Sequence, residues 1–190
     1  MAVAFIDIDG VLNEYPKTWL DFIKEKTGLH FSTLDEAKEN LSYKIYIELK
    51  HEYRSSGYKQ SLKVRKGAAE FLKILNIVGI DPVLYTSRPV NNYFNLYMDT
   101  IRWLEKNKLD FKHIIFGKEI IPFYQIKFNP IFIVEDEFEY AKIFSKFSLV
   151  FLYNGNIERK NIIPVKNFNQ IIEFFGWNHA RNQLEKSDSL

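Results

Sequence analysis

Residues 3–10 read VAFIDIDG, an apolar run that ends in two aspartates and a glycine. A continuous apolar run of this length is typical of a parallel β-strand that is covered on both faces. Asp7 and Asp9 lie at the end of the run, and a carboxylate beside an apolar strand is costly unless something binds it. This stretch therefore predicts a buried strand with a polar site at its carboxyl end.

Similar apolar runs follow along the chain, at residues 80–85, 131–134 and 148–153, with a weaker one at 113–116. Apolar residues at helical spacing separate them, as in the segment that Gly79 ends. Strands that alternate with helices favour a parallel sheet. We expect an α/β fold with a Rossmann-like parallel sheet, helices on both faces and one insertion.

The insertion is the stretch 14–63, which contains no convincing strand and is much longer than an ordinary crossover. An apolar pattern around Trp19 predicts a helix that ends near Gly28. Overlapping capping boxes in residues 32–36 predict a second helix that carries apolar residues as far as Leu49. We therefore expect this stretch to form a small α-helical cap.

The predicted core consists of residues 1–13 and 64–176, on either side of the cap. Residues 177–190 turn polar, and we expect them to form a frayed tail. A chain of 190 residues has a usual length for one domain, and 46% hydrophobic residues suffice for a sizeable core. One domain with an inserted cap is therefore the expected organisation.

The composition excludes several classes of function. The chain has no cysteine, which rules out disulfides, thiolate zinc sites and cysteine nucleophiles. Lysine and arginine number 26 against 24 acids, a balance that does not indicate a dedicated nucleic-acid-binding protein. No apolar run approaches the roughly 20 residues that span a bilayer, and Asp7 comes too early for a signal peptide. We expect a cytoplasmic protein without a membrane partner.

Polar side chains follow four of the predicted strands. Ligands of open parallel sheets bind beyond the carboxyl ends of the strands, so these side chains are candidates for a common site. They are Asp7 and Asp9 after the first run, Thr86, Ser87 and Arg88 after the second, Lys118 after the weak run, and Glu135 and Asp136 after the run at 131–134. Such a set can hold a divalent cation through oxygen ligands and receive a phosphoryl group beside it.

Four short segments in this order resemble the motifs of the haloacid dehalogenase (HAD) superfamily of aspartate-nucleophile phosphatases. They are FIDIDGVL at 5–12, VLYTSRP at 83–89, Lys118, and FIVED at 132–136. The resemblance covers nearly the whole chain. The insertion lies where such proteins carry a C1-type cap, and a helical cap there is similar to that of 5′-nucleotidase and deoxyribonucleotidase relatives.

The resemblance implies roles for the residues of the first two motifs. Asp7 would be the nucleophile and form an aspartyl-phosphate, and Asp9 would act first as the acid and then as the base. Thr86 would hydrogen-bond the phosphoryl oxygens, with Ser87 and Arg88 beside it as phosphate-binding residues.

The same resemblance implies a magnesium ion as cofactor. The Asp7 carboxylate, the Asp9 carbonyl and Asp136 would hold the ion, which would offset the repulsion between the nucleophile and the phosphate. Glu135 replaces the first aspartate of the commoner acidic pair, and we assign it to the outer shell of the metal.

Two residues keep alternative interpretations. Arg88 either reaches the substrate or pairs with an acid such as Glu135 or Glu137, and we prefer the pairing. Both Lys118 and Lys127 precede the fourth motif. Lys118 would lie at the carboxyl end of a strand and Lys127 at the opposite edge of the sheet. Topology therefore favours Lys118 as the lysine that neutralises charge on the nucleophile and the transferred group.

We expect a magnesium-dependent phosphomonoesterase that acts on a small phosphorylated metabolite, with a nucleotide as the first candidate. Tyrosines and cations that mingle in the cap could stack a base and steer a phosphate. These are Tyr43, Tyr46, Tyr53 and Tyr58 with Lys44, Lys50, Arg54 and Lys59. The alternatives are a phosphatase for nucleic-acid ends and a metabolite-binding module without turnover. Exposed aromatic residues of the cap could also form a homodimer contact.

Overall fold

The computed structural model describes residues 2–187, with side chains described as far as residue 184. The strands in this range are β1 Ala2–Asp7, β2 Ile80–Thr86, β3 His113–Phe116, β4 Phe132–Glu135, β5 Leu149–Tyr153 and β6 Ile162–Val165. They form one sheet in the order β3-β2-β1-β4-β5-β6, and every neighbouring pair is parallel. The expected α/β class with a Rossmann-like parallel sheet is confirmed.

The strand β6 was not among the predicted strands. It has four residues, and Pro164 is one of them. Proline cannot donate a ladder hydrogen bond, so within sheets it is confined largely to edge strands, and β6 lies at the edge of this sheet. A short strand interrupted by proline leaves no apolar run that a sequence pattern would detect.

The helices within the described residues are α1 Lys17–Thr27, α2 Leu34–Asn40, α3 Tyr43–Ser55, α4 Ala68–Ile77, α5 Phe94–Lys106, α6 Ile121–Phe128, α7 Phe138–Phe144, α8 Phe168–Phe174 and α9 Asn178–Ser187. Along β1, Ala4 and Ile6 belong to one buried cluster and Val3 and Phe5 to another, because successive side chains point to opposite faces. Buried residues of α4, α5 and α8 join the cluster of Ile6, and those of α6 and α7 join that of Phe5. Both faces are covered, so β1 is apolar until its last residue.

The stretch between β1 and α4 contains α1, α2 and α3. The helix α1 ends as expected at Gly28, which has the left-handed backbone that favours glycine. The single second helix that we expected is wrong: α2 and α3 are separate helices. Leu41 has an extended backbone, and the Ser42 side chain accepts a hydrogen bond from the Ile45 backbone N–H. Ser42 therefore caps a new helix instead of continuing the old one.

The chain enters and leaves this stretch side by side. Asn13 and Val64 form an antiparallel bridge, and the Arg65 backbone N–H donates to the Leu12 carbonyl at 2.8 Å. These contacts lie at the predicted boundaries between residues 13 and 14 and between 63 and 64. The division into a core and a cap stays a prediction.

The predicted frayed tail is wrong for the residues that form α9. Ala180 is buried, and Leu184, four residues later, packs against the larger core cluster. The Arg181 Nε–H donates to Glu70 at 3.1 Å. Two apolar positions four residues apart give a polar helix one packed face. Residues 188–190, which belong to the same expectation, lie outside the described residues.

Among residues 2–187, no helix combines the length and the apolar content that crossing a bilayer requires.

The buried ring of Phe132 is central to the larger cluster, since it contacts four other aromatic rings. We expect Phe132→Ala to lower the free energy of unfolding by about 3–5 kcal/mol, because it removes apolar burial and leaves a cavity. Phe94→Ala is the control, since Phe94 is 96% exposed. It should change stability by no more than about 0.5 kcal/mol. Urea unfolding of both variants measures the difference, and equal effects would contradict this description of the core.

Candidate active site

The site is built around the turn that follows β1. Asp7 ends the strand, and residues Ile8–Leu12 form a kinked turn in which Gly10 has a positive φ of 89°. A Cβ atom on Gly10 would lie 1.8 Å from Asp136 Oδ2. The absence of a side chain at Gly10 therefore lets the loop after β4 approach the loop after β1.

Three carboxylates meet where these loops touch. One oxygen each of Asp7, Glu135 and Asp136 lies within 4.8 Å of the other two, and Asp7 and Glu135 are fully buried. The Asp9 carboxylate is not part of this group. The strand order places β1 next to β4, so these acids come from adjacent strand ends.

Hydrogen bonds distinguish the three carboxylates. Glu135 Oε1 accepts from Lys118 Nζ and from the backbone amides that follow, and Oε2 accepts from the Tyr85 hydroxyl. Asp7 Oδ2 and Asp136 Oδ1, in contrast, are buried and have no hydrogen-bond donor. Asp7 Oδ2 lies 2.6 Å from Lys118 Nζ as an ion pair, but without hydrogen-bond alignment. Two buried carboxylate oxygens that accept no hydrogen bond fit a hard divalent cation, with Asp7 and Asp136 as its ligands.

Electrostatics show the same need for a cation. Burial and the neighbouring Glu135 raise the pKa of Asp7 well above its ordinary value, despite the contact with Lys118. Burial and Glu135 also raise the pKa of Asp136, to about 8. The carboxylates thus disfavour each other's ionisation, and a bound divalent cation would reverse this effect.

Lys118 is the lysine that the structure brings to the acids. It follows β3 in the short turn Lys118–Ile120, and its Nζ lies 2.9 Å from Glu135 Oε1 and 3.0 Å from Glu137 Oε1. Burial lowers the pKa of Lys118, but the surrounding carboxylates outweigh burial and raise it above its ordinary value. Lys127 lies on α6, beside a groove that Val3 also lines at the amino end of β1. The structure does not bring Lys127 to this site.

The partner of Arg88 differs from the one we expected. Arg88 pairs with neither Glu135 nor Glu137; its Nε and Nη2 each donate to one oxygen of Asp9, both at 2.8 Å. The remaining Nη1 donates to Thr100 at 2.9 Å. The buried guanidinium matches a carboxylate through two parallel hydrogen bonds, the strongest geometry for such a pair. Sequence spacing alone cannot show which acid faces an arginine after another strand.

Asp9 receives further donors. Asn13 Nδ2 and Lys59 Nζ lie 2.8 Å and 3.2 Å from its Oδ1, and the Thr86 hydroxyl lies 3.4 Å from its Oδ2. Burial raises the pKa of Asp9, but the charges of Arg88 and Lys59 outweigh burial and hold that pKa well below its usual range. Asp9 is therefore a carboxylate in this arrangement.

Thr86 and Ser87 lie at the carboxyl end of β2, as expected. Thr86 is buried, and its Oγ1 also accepts from the Arg88 backbone N–H at 3.2 Å. Ser87 is exposed toward the cavity described below. The two residues thus border the same space as Asp9, from the neighbouring strand.

Three residues of the site were not predicted as site residues. Asn13 and Lys59 contact Asp9, and Arg65 donates to the carbonyls of Gly10, Val11 and Asn13 through its guanidinium. Lys59 was placed in the basic stripe of the cap, and its burial was the missing information. The Asn13 and Arg65 side chains follow no strand of the predicted sheet, so no sequence signal marks them.

A cavity of about 180 Å³ opens between these loops and the helices that follow β1. Its core side consists of the charged and polar residues just described, and its other side consists of aromatic and basic residues. The lining residues are Asp9, Ser87, Arg88, Pro89, Leu96, Lys118 and Glu137 on one side, and Tyr15, Trp19, Lys50, Tyr53, Arg54 and Lys59 on the other.

No protein-family model and no curated protein sequence matches this chain significantly. Solved structures do match. A protein from Thermotoga maritima named as a β-phosphoglucomutase is 16% identical, with a TM-score of 0.61 over 91% of this chain and 99% of that chain.

Two further structures match over similar lengths. A HAD family hydrolase from Deinococcus radiodurans R1, with bound phosphate and sodium, is 12% identical, with a TM-score of 0.60 over 94% of this chain and 96% of that chain. The D,D-heptose 1,7-bisphosphate phosphatase from B. bronchiseptica, complexed with magnesium and phosphate, is 10% identical, with a TM-score of 0.54 over 92% and 98%.

The fold and the site define a parallel α/β protein with buried carboxylates at the carboxyl edge of its sheet. Its particular fold is that of the HAD-superfamily hydrolases, so the resemblance of the four motifs is confirmed at the level of the fold. Identities of 10–16% establish the fold alone. The similarity to 5′-nucleotidases and their cap stays a prediction.

We expect Gly10→Ala to weaken the binding of a divalent cation about 10- to 100-fold, because the new methyl group displaces Asp136. The measurement is the rise of the thermal unfolding midpoint with Mg²⁺ concentration. Gly79→Ala is the matched control: Gly79 has a φ of 76°, but nothing lies within 4 Å of its would-be Cβ. Both variants carry backbone strain of about 1–2 kcal/mol. An unchanged Mg²⁺ response in Gly10→Ala would contradict the proximity argument.

Proposed function

We propose that this protein is a magnesium-dependent phosphomonoesterase that hydrolyses a small phosphorylated metabolite through an aspartyl-phosphate on Asp7. One observation carries the proposal. The buried Asp7 carboxylate has an oxygen without a hydrogen-bond donor, beside Lys118 and Asp136, and the cavity lies at the same edge of the sheet. A buried carboxylate with an oxygen that accepts no hydrogen bond, beside an ammonium, is suited to nucleophilic attack on phosphorus.

The ligands proposed for magnesium are the Asp7 carboxylate, the Asp9 backbone carbonyl and the Asp136 carboxylate. When bound, the ion supplies positive charge that offsets the repulsion between an anionic nucleophile and an anionic substrate. Glu135 has donors on both oxygens, which supports an indirect role: it orients Lys118 and the loop that carries Asp136. Asp7 and Asp136 each have a buried oxygen that accepts no hydrogen bond, which supports their assignment as direct ligands.

In the first step, an Asp7 carboxylate oxygen forms a bond to phosphorus while the ester bond to the leaving oxygen breaks. Asp9 in its protonated form gives its proton to that oxygen, and the alcohol departs. In the second step, Asp9 takes a proton from water, and the resulting hydroxide displaces Asp7 as inorganic phosphate forms. Asp7 is then regenerated as a carboxylate.

The hydrogen-bond donors around Asp9 influence whether it is protonated in each of the two steps. Arg88 and Lys59 favour its carboxylate form, which is the form that the second step needs. A substrate phosphate close to Arg88 and Lys59 competes with Asp9 for their hydrogen bonds. That competition favours protonation of Asp9, which is the form that the first step needs.

The proposed phosphate-binding residues are Thr86, Ser87, Arg88 and Lys118. Thr86 supplies a hydroxyl, and Ser87 borders the cavity. Lys118 is within 2.6 Å of Asp7, so its ammonium can neutralise charge on the nucleophile and on the group that it attacks.

The proposed substrate is a small phosphorylated metabolite, and a nucleotide is one member of that class. Of the four cap tyrosines that suggest base stacking, only Tyr53 lines the cavity. Its ring lies 5.0 Å from that of Trp19 and 5.2 Å from that of Phe22, centre to centre. The support for a nucleotide is therefore a single ring that is almost fully buried, and other small phosphoesters belong in the same assay.

We expect the wild-type protein to release phosphate from at least one member of a panel of nucleotides, sugar phosphates and an aryl phosphate. The reaction should require Mg²⁺, stop with a chelator and resume when Mg²⁺ is restored. Asp7→Asn should abolish turnover, since an amide cannot replace the carboxylate as nucleophile.

Asp81→Asn is the matched control, because Asp81 lies at the opposite end of the sheet, near the start of β2. It should keep wild-type rates. Phosphate release that survives the chelator, or that Asp7→Asn leaves intact, would overturn the proposed mechanism.

A second pair of variants tests the site lysine. Lys118→Met should lower kcat about 100-fold or more, because it removes the ammonium beside the nucleophile. Lys127→Met makes the same change on α6, away from the site, and should leave kcat within about twofold of the wild type. Steady-state kinetics on the best panel substrate, with thermal melting to verify folding, decides between them. A larger loss in Lys127→Met would reverse the assignment.

A further inference from the structure

The cap-side wall of the cavity carries cations that the proposed reaction does not use. Lys50 and Arg54 lie one turn apart on α3, and both line the cavity. Neither has a carboxylate within 4.0 Å among the residues that the structure describes. Their charged groups lie instead over aromatic rings, Lys50 Nζ at 5.4 Å from the centre of Tyr46 and the Arg54 guanidinium carbon at 5.5 Å from that of Tyr93.

The other three cations that line the cavity are different, because each lies beside a carboxylate. Arg88 forms two hydrogen bonds with Asp9, and Lys118 contacts three carboxylates. Lys59, which is 5% exposed, also pairs with Asp9. Among the described residues, Lys50 and Arg54 are therefore the cations that line the cavity without a carboxylate within 4.0 Å.

This arrangement has a cost to the fold. Two like charges four residues apart on a helix repel each other and destabilise it. Both side chains line the cavity, where a bound anion would relieve the repulsion. Nothing in the packing of α3 requires positive charge at these positions, since its buried residues are Tyr46, Leu49 and Tyr53.

The transferred phosphate does not fill this place. It must lie against Asp7, whose contacts are with Lys118 and the loops of the sheet edge. Lys50 and Arg54 belong to α3, on the other side of the same cavity. They therefore face the part of the substrate that leaves with the alcohol.

The size of the cavity limits that part of the substrate. Its volume is about 180 Å³. Pockets for drug-sized ligands are usually about 300 Å³ or more. A compact molecule with its two ends a few bonds apart is the size that this space suits.

We infer that Lys50 and Arg54 form a second anion site, so that the preferred substrate is a small phosphomonoester with a second anionic group, a carboxylate or another phosphate. The inference rests on the proposed function, which places the first phosphate at Asp7. The two sources of the second charge share the same chemistry of recognition, which is hydrogen bonding from an ammonium and a guanidinium to anionic oxygens.

The test measures binding, which does not depend on turnover. Calorimetric titration of the wild-type protein in Mg²⁺ compares 3-phosphonopropionate with propylphosphonate, which differ only in a terminal carboxylate against a methyl group. We expect the carboxylate compound to bind about tenfold more tightly or better, the usual worth of a hydrogen bond to a charged group. Propane-1,3-bisphosphonate in the same titration shows whether a second phosphate binds more tightly than a carboxylate.

Lys50→Met and Arg54→Gln should each reduce the preference for the second anion to about threefold or less. Lys44→Met is the matched control, because Lys44 is an exposed residue of the same helix and does not line the cavity. It should keep the full preference. Circular dichroism of each variant verifies that α3 is intact.

The outcomes separate the two proposals. Equal affinity of the wild type for the two phosphonates, or an undiminished preference in both variants, overturns the second anion site. If the preference is present and depends on Lys50 and Arg54, but no phosphoester with one or two anionic groups is hydrolysed, the anion site stands and the proposed phosphatase function fails.

Discussion

The contact between the Lys118 ammonium and the carboxylates around it is the interaction on which the candidate site depends. Lys118 follows β3, Asp7 ends β1 and Glu135 ends β4, so one buried cation joins the ends of three strands. Glu135 extends the connection to β2 through the Tyr85 hydroxyl. Without the ammonium, the adjacent carboxylates would be buried with no positive charge beside them. The free-energy cost of that arrangement is very large unless the carboxylates are protonated or bind a metal. The sheet edge is therefore held together by the same charges that its chemistry would use.

Much of this edge could be predicted from sequence because a parallel sheet converts chain order into spatial neighbourhood. Apolar runs locate the strands, and the first polar residue after each run must lie at one edge. That argument places Asp7, Thr86 and Lys118 correctly at strand ends without any knowledge of contacts. It cannot show which side chains pair across loops, and the acid that faces Arg88 was for that reason predicted wrongly. Lys59 shows the same limit, since its contact with Asp9 joins residues 50 positions apart.

Local sequence signals predicted the ends of helices reliably only where a single signal was present. Gly28 ends α1 because nothing nearby competes with a left-handed glycine. Ser42 lies among apolar residues at helical spacing, yet its side chain caps the next backbone amides, and the cap interaction wins over continuation of the helix. In α9 the polar composition suggested fraying, but two apolar positions on one face were enough for packing. A sequence pattern averaged over a segment therefore misses structure that depends on one or two residues, such as the cap at Ser42.

The buried charges at the sheet edge are better explained by ligand binding than by the stability of the fold. When well-packed apolar residues replace a buried ion-pair cluster, the protein is often equally stable or more stable. The stability of the fold therefore does not explain why carboxylates that Lys118 only partly neutralises are buried here. Glycine at position 10 adds to this reasoning, since it brings the oxygens of Asp136 close to the loop that holds Asp7. Lys50 and Arg54 repeat the pattern on the opposite wall with the sign reversed, since neither has a carboxylate within 4.0 Å among the described residues. Partly compensated carboxylates at the sheet edge suit a cation, and cations without a nearby carboxylate on α3 suit an anion, whereas the stability of the fold requires neither.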